Sequence, residues 1–164
     1  MTSFKENLIT ETKRRIIEES IPRIKKCLAS LNEQEIWFKP NEHSNSVGNL
    51  ILHLCGNVTQ WVGSGLGKLP DNRLRDLEFS EKGPLPTEKL IQALDQLELL
   101  IHETLNKITE EDLLNLHDVQ VYQETGLSIL VHVVEHFSYH TGQIAFFTKW
   151  RKNMDMAFYP EDLG

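Results

Sequence analysis

The chain has 164 residues, with 17 Lys and Arg against 24 Asp and Glu and a formal net charge of −7. That length suits a single domain, residues 1–164, with a core of its own. Apolar residues make up 40% and charged residues 25%, with only 9 Gly and 6 Pro, which excludes collagen-like, low-complexity and disordered classes. The acidic balance argues against a nucleic-acid binder, because such proteins carry a basic excess to meet phosphate.

Residues 1–26 hold seven basic and four acidic side chains, read as the solvated face of a helix. Apolar residues Phe4, Leu8, Ile16, Ile24 and Leu28 predict a helix over about 3–30. Pro22 should kink or split it, lacking an N–H and crowding the preceding turn. Leu31–Asn45 contains Trp37, Pro40 and Asn41 and reads as a loop. Ser46 is a candidate N-cap for a second helix over 46–65, with Val47, Leu50, Ile51, Leu54, Val58 and Trp61 in one stripe. His43–Gly67 carries no Asp, Glu, Lys or Arg, yet Asn, Gln, Ser and Gly make it too polar for a membrane span.

Gly67–Pro86 reads as a long crossover loop, a kind of segment that is often functional. Thr87 is a candidate N-cap for a third helix to about Lys107, with Leu90, Leu94, Leu97 and Ile101 facing one way. Ile108–Thr125 is a second connection, with an extended piece at Val119–Tyr122. Gly126–Arg151 is a fourth helix. Between Glu124 and Lys149 its only charge is Glu135, so burial nearly all round is expected. Four long helices without a sheet predict an all-α four-helix bundle with long connections. Lys152–Gly164 is a C-terminal extension. Cys27 and Cys55 are too few for a disulfide scaffold and read as buried, inert thiols. The N-terminus lacks an apolar signal segment, so a reduced, cytoplasmic protein is expected.

The fourth helix carries His132, His136 and His140 at i, i+4 and i+8, about 0°, 40° and 80° around the axis, with Gln143 at about 20°. A polar strip on an apolar helix needs partners, and a metal ion satisfies several imidazoles at once. His132 and His140 lie about 12 Å apart along the axis, so the pair is His132/His136 or His136/His140. A third ligand must come from elsewhere. His53 is the candidate, on the flank of the second helix, with Asn57 and Trp61 one and two turns on. His43, His102 and His117 sit in polar segments and read as solvated.

Two motifs resemble the DinB superfamily. Trp37–Leu54, WFKPNEHSNSVGNLILHL, is similar to the family's Trp-x-x-Pro segment leading into a helix with a ligand histidine. His136–Ile144, HFSYHTGQI, is similar to its H-x-x-x-H-x-G-Q-I signature. The resemblance covers about residues 3–150. It implies a four-helix bundle of up-down-down-up course, often a homodimer, with a divalent metal, zinc or nickel, held by three histidines. Carried to the matching positions these are His53, His136 and His140. His132 then has a pocket or outer role, beside Asn57, Trp61, Glu135 and Gln143, among which hydrogen-bond partners of the ligands are to be sought.

Characterised relatives imply a transferase or isomerase acting on a small-molecule thiol (bacillithiol, mycothiol or glutathione) and an electrophilic substrate, the metal activating the thiol or a water. The alternatives are a metal-dependent hydrolase and a non-catalytic stress-related binding protein with a structural or vestigial metal site.

Overall fold

The computed structural model describes residues 2–159. The first helical run is α1 (Phe4–Lys13), a π-helical stretch Arg14–Ser20, and α2 (Ile21–Ser30). Pro22 sits in the first turn of α2, where its missing N–H costs least. The wider turns just before it divide the run rather than ending it. Ser3 starts α1 with a reciprocal cap to Glu6.

The segment Leu31–Asn45 is not wholly loop, since it carries α3 (Glu33–Ile36), capped by Asn32 and Glu35. Then α4 (Val47–Val58) continues as a π-helical stretch, Thr59–Leu66. Ser46 caps it, accepting from the Asn49 N–H while the Asn49 side chain reaches back to Ser46. The long connection also differs from expectation, because it folds into α5 (Arg75–Ser80). That helix is pinned onto α4 by the Asn49 amide, which donates to Glu78 O at 2.9 Å and Glu81 O at 2.8 Å. Trp37 closes the same corner. Its indole fills the space where a Cβ on Gly48 or Gly83 would fall within 2.7 Å, so both positions need glycine.

Helix α6 (Thr87–Leu105) begins at Thr87 itself; Pro86 is its N-cap and no side chain caps it. The expected Thr87 cap is thus corrected: the fixed φ of Pro86 already starts the helix. The second connection holds α7 (Glu110–Leu114) and a hairpin, β1 (Leu116–Val119) and β2 (Tyr122–Thr125), antiparallel with Val119 opposite Tyr122. The molecule is therefore mainly helical with a two-stranded sheet, not purely all-α. Helix α8 (Gly126–Lys152) is capped by Thr125 and ends at Asn153, whose φ of 50° is left-handed. Gly126 is required there, since a Cβ would lie 2.2 Å from Asp112 O.

The core forms where α2 meets α8 and where α4 meets α6 and α8. Ile24, Ile51, Leu54, Leu94, Ile101 and Phe137 have no accessible surface. Burying each such side chain stabilises the fold by about 1.5–3 kcal/mol relative to exposure. The stripe Leu90, Leu94, Leu97 and Ile101 is buried as its spacing predicts. Helix α8 is not buried all round: Val131, Tyr139, Phe146 and Trp150 are exposed. Among the described residues, no helix is long and apolar enough to cross a membrane. Cys27 and Cys55 are both free thiols. Of the C-terminal extension, Met156 is buried; residues 160–164 lie outside the described range.

Candidate metal centre

Helices α4 and α8 bring three histidines together. His53 projects from the middle of α4 and is buried, with 6% of its surface accessible; His136 and His140 are half-buried, one turn apart on α8. A ring nitrogen from each lies within 4.8 Å of the others, so among the described residues these three could hold a metal ion. The tightest approach is His53 Nε2 to His136 Nε2, 2.9 Å. The His140 ring lies edge-on to both, with centroids 5.2 Å from His53 and 4.5 Å from His136.

The electrostatics favour neutral rings at His136 and His140. Burial, then the neighbouring His140, His53 and His132 and the Arg73 guanidinium, push His136 down to about 3. Burial lowers His140 too, with His53 adding to it and a hydrogen bond to Gln143 opposing. Neutral imidazoles offer lone pairs. Two ring nitrogens facing at 2.9 Å, with a third beside them, form a nitrogen donor set that could hold a metal ion.

The partners of these rings are partly those expected. His140 Nδ1 lies 2.7 Å from Gln143 Oε1, one turn on. His53 Nδ1 lies 2.9 Å from Glu78 Oε2. Glu78 in turn takes a forked pair from Arg73: Nε to Oε1 at 2.7 Å and Nη2 to Oε2 at 2.8 Å. Burial works to raise the Glu78 pKa, but Arg73 and His53 outweigh it and hold the carboxyl below its usual range. Sequence reasoning missed both residues. They sit on or beside α5, six residues long and half charged, too short for a periodic signal. The one available pointer was the crossover's unusual length.

Glu135 is not brought to the cluster. It is exposed and faces a surface hollow with Leu8, Glu11 and Arg15. One residue before His136 is about 100° around the helix, which turns it from the cluster. His132 stacks on Trp61, with centroids 3.8 Å apart and planes at 27°, and is lowered by burial. It lies outside the three-nitrogen group. His53, Asn57, Trp61, His132 and His136 border a cavity of about 370 Å³ that Arg75 and Tyr122 also line. Asn57 Oδ1 and His132 Nε2 are buried there with no hydrogen-bond partner among the described residues.

Of the histidines expected to be solvated, His43 and His102 are exposed. His117 is not. It is 5% accessible, with Nε2 2.6 Å from Asp112 O and Nδ1 2.8 Å from Lys68 Nζ. Hairpin formation folds it against the π-helical end of α4. Burial together with the Glu78 charge pushes the Cys55 thiol up to about 12, as an inert thiol requires.

A family model described as a protein of unknown function, DUF1572, matches residues 4–159. The chain belongs to this family. No curated protein matches the sequence. Among solved structures, a conserved protein from Enterococcus faecalis superposes on this DUF1572 chain with a TM-score of 0.72 at 18% identity, covering 94% of this chain and 100% of its own. A DinB-like protein from Bacillus cereus superposes with a TM-score of 0.63 at 15% identity, covering 85% and 89%. At these identities the likeness is one of fold, and the fold is DinB-like.

Proposed function

We propose that this protein is a metal-dependent enzyme of the thiol-transferase kind, in which His53, His136 and His140 hold a divalent ion, zinc or nickel. The observation that carries this reading is the convergence of three histidine ring nitrogens beside a polar cavity. Three protein ligands are the usual number in catalytic zinc sites, which keep a further position open. His132 is not among the clustered nitrogens, which supports an open rather than a closed set.

When bound, such an ion supplies Lewis-acid charge that favours the deprotonated form of a thiol or a water beside it. The chain's own residues then do the rest. Stacked Trp61 and His132 wall the cavity and limit water. Arg75 and Tyr122 border its mouth, where a small electrophile can be received. Buried Asn57 offers an unpaired acceptor to an N–H or O–H of a bound molecule. In this reading the four long helical runs take the up-down-down-up course of DinB bundles and the protein works as a homodimer.

The test supplies metal-loaded protein with a small-molecule thiol and a reporter electrophile, beside ester probes without thiol. Turnover that needs the thiol and disappears in His136→Ala is the expected result. Turnover indifferent to thiol would replace this reading with hydrolysis, and no turnover of any probe would leave a binding protein.

A further inference from the structure

We infer that Glu78, clamped by Arg73, is a positioning residue of the metal centre: it fixes the His53 ring so that Nε2 presents its lone pair to the ion. This rests on the metal reading above and goes beyond it, assigning a role to a segment outside the histidine motifs.

An ionised carboxylate only accepts, so a contact of 2.9 Å between Glu78 Oε2 and His53 Nδ1 places the ring proton on Nδ1. Nε2 is then the free lone pair, and it is Nε2 that faces His136. Arg73 keeps the carboxylate ionised and fixed by its two-pronged pairing, a geometry that sets direction as well as energy. Arg73 Nη2 also lies 3.2 Å from His53 Nδ1. Both are N–H donors, and both converge on the same oxygen, Oε2. The side chains of Arg73, His53 and Glu78 retain 6%, 7% and 10% exposure, so solvent does little to loosen them. Phe79, the next residue, lies against the His53 ring at 4.8 Å. The clamp is tied outward as well, with Arg73 Nη1 donating to Gln60 Oε1 at 2.9 Å.

Helix α4 is built to admit this carboxylate. Gly56, three residues after His53, faces it: a Cβ there would lie 2.0 Å from Glu78 Oε1 and 3.1 Å from Arg73 Nε. Any side chain at 56 pushes Glu78 off His53. A glycine in a helix interior is unfavourable by itself, so the close approach of Glu78 gives it a reason.

Ligating histidines commonly donate their second N–H to an outer acceptor, and removing that acceptor weakens metal binding by about 10–100-fold. The experiment measures zinc affinity by competition with a chromophoric chelator, and the visible spectrum of the cobalt-substituted protein, for wild type, Glu78→Ala, Glu78→Gln and Gly56→Ala. Apo melting temperatures are recorded alongside. Glu78→Ala and Gly56→Ala should each bind zinc about 10–100-fold more weakly with altered cobalt spectra. The near-isosteric Glu78→Gln, which keeps an oxygen for the Nδ1 proton, should fall in between. Wild-type affinity and spectrum in all three variants, whatever their melting temperatures, would overturn the inference and leave the metal reading standing. Failure of wild type itself to bind zinc or cobalt would overturn both.

Discussion

Asn57 illustrates how single side chains at this site are set for something other than stability. It is 4% accessible and its Oδ1 has no partner among the described residues. An unsatisfied buried acceptor costs about 1–3 kcal/mol. Replacing it with a leucine removes that cost while keeping similar bulk. Asn57→Leu should therefore stabilise the apo protein by about 1 kcal/mol, or about 2–4 °C in Tm for a chain of this size, while impairing turnover of thiol and electrophile. A lower melting temperature would mean that Asn57 contributes to packing after all. The histidines of α8 were legible from sequence at this scale, because i, i+4 spacing is a geometric statement, and His53 was a candidate only because it lies on an uncharged helix. Spacing alone left His132/His136 and His136/His140 as alternatives, and the resemblance to the DinB motif chose between them. Glu78 was illegible, since its meeting with His53 depends on a tertiary contact between α4 and a short helix with no periodicity.

At the scale of elements, α3 is tied to the end of α8 by one carboxylate. Glu35 completes the Asn32 cap and pairs with Arg151 Nε at 3.2 Å and Lys152 Nζ at 3.0 Å. The cap's backbone N–H, then Lys152, hold its pKa below the usual glutamate value. A carboxyl depressed in the folded state stabilises above its unfolded pKa, and that contribution fades as pH falls through the folded value. Glu35→Gln should thus cost about 1–2 kcal/mol at pH 7, with the gap in Tm to wild type closing below about pH 4.3. A gap that persists unchanged at pH 3 would show that charge is not the source.

Element boundaries were legible where apolar periodicity is long, as in α6, or where caps are strong, as at Ser46. The short pieces α3, α5, α7 and the hairpin were not, because each owes its form to the neighbours it packs on. Helix α8 shows a different failure. Its apolar composition predicts burial, yet Tyr139, Phe146 and Trp150 are exposed. Composition counts apolar residues without saying which face they share.

For the whole molecule, the candidate centre joins two helices far apart in sequence, with His53 on α4 and His136 and His140 on α8. An ion bound there favours the folded chain, in which these groups are assembled, over the unfolded one. At a free metal concentration 100 times Kd the stabilisation is about 2.7 kcal/mol. The fold class was legible because four long helical runs dominate the chain, and the crossover that completes the site was noticed only as a length. The most direct measurement is elemental analysis of protein purified without affinity tag or chelator, for wild type and His136→Ala, before and after titration with zinc and nickel. The expected result is about one ion per chain in wild type, since one three-donor set can hold one ion, and loss of it in His136→Ala. Wild-type protein that carries none and takes up none on titration, or His136→Ala that binds as well as wild type, would contradict it.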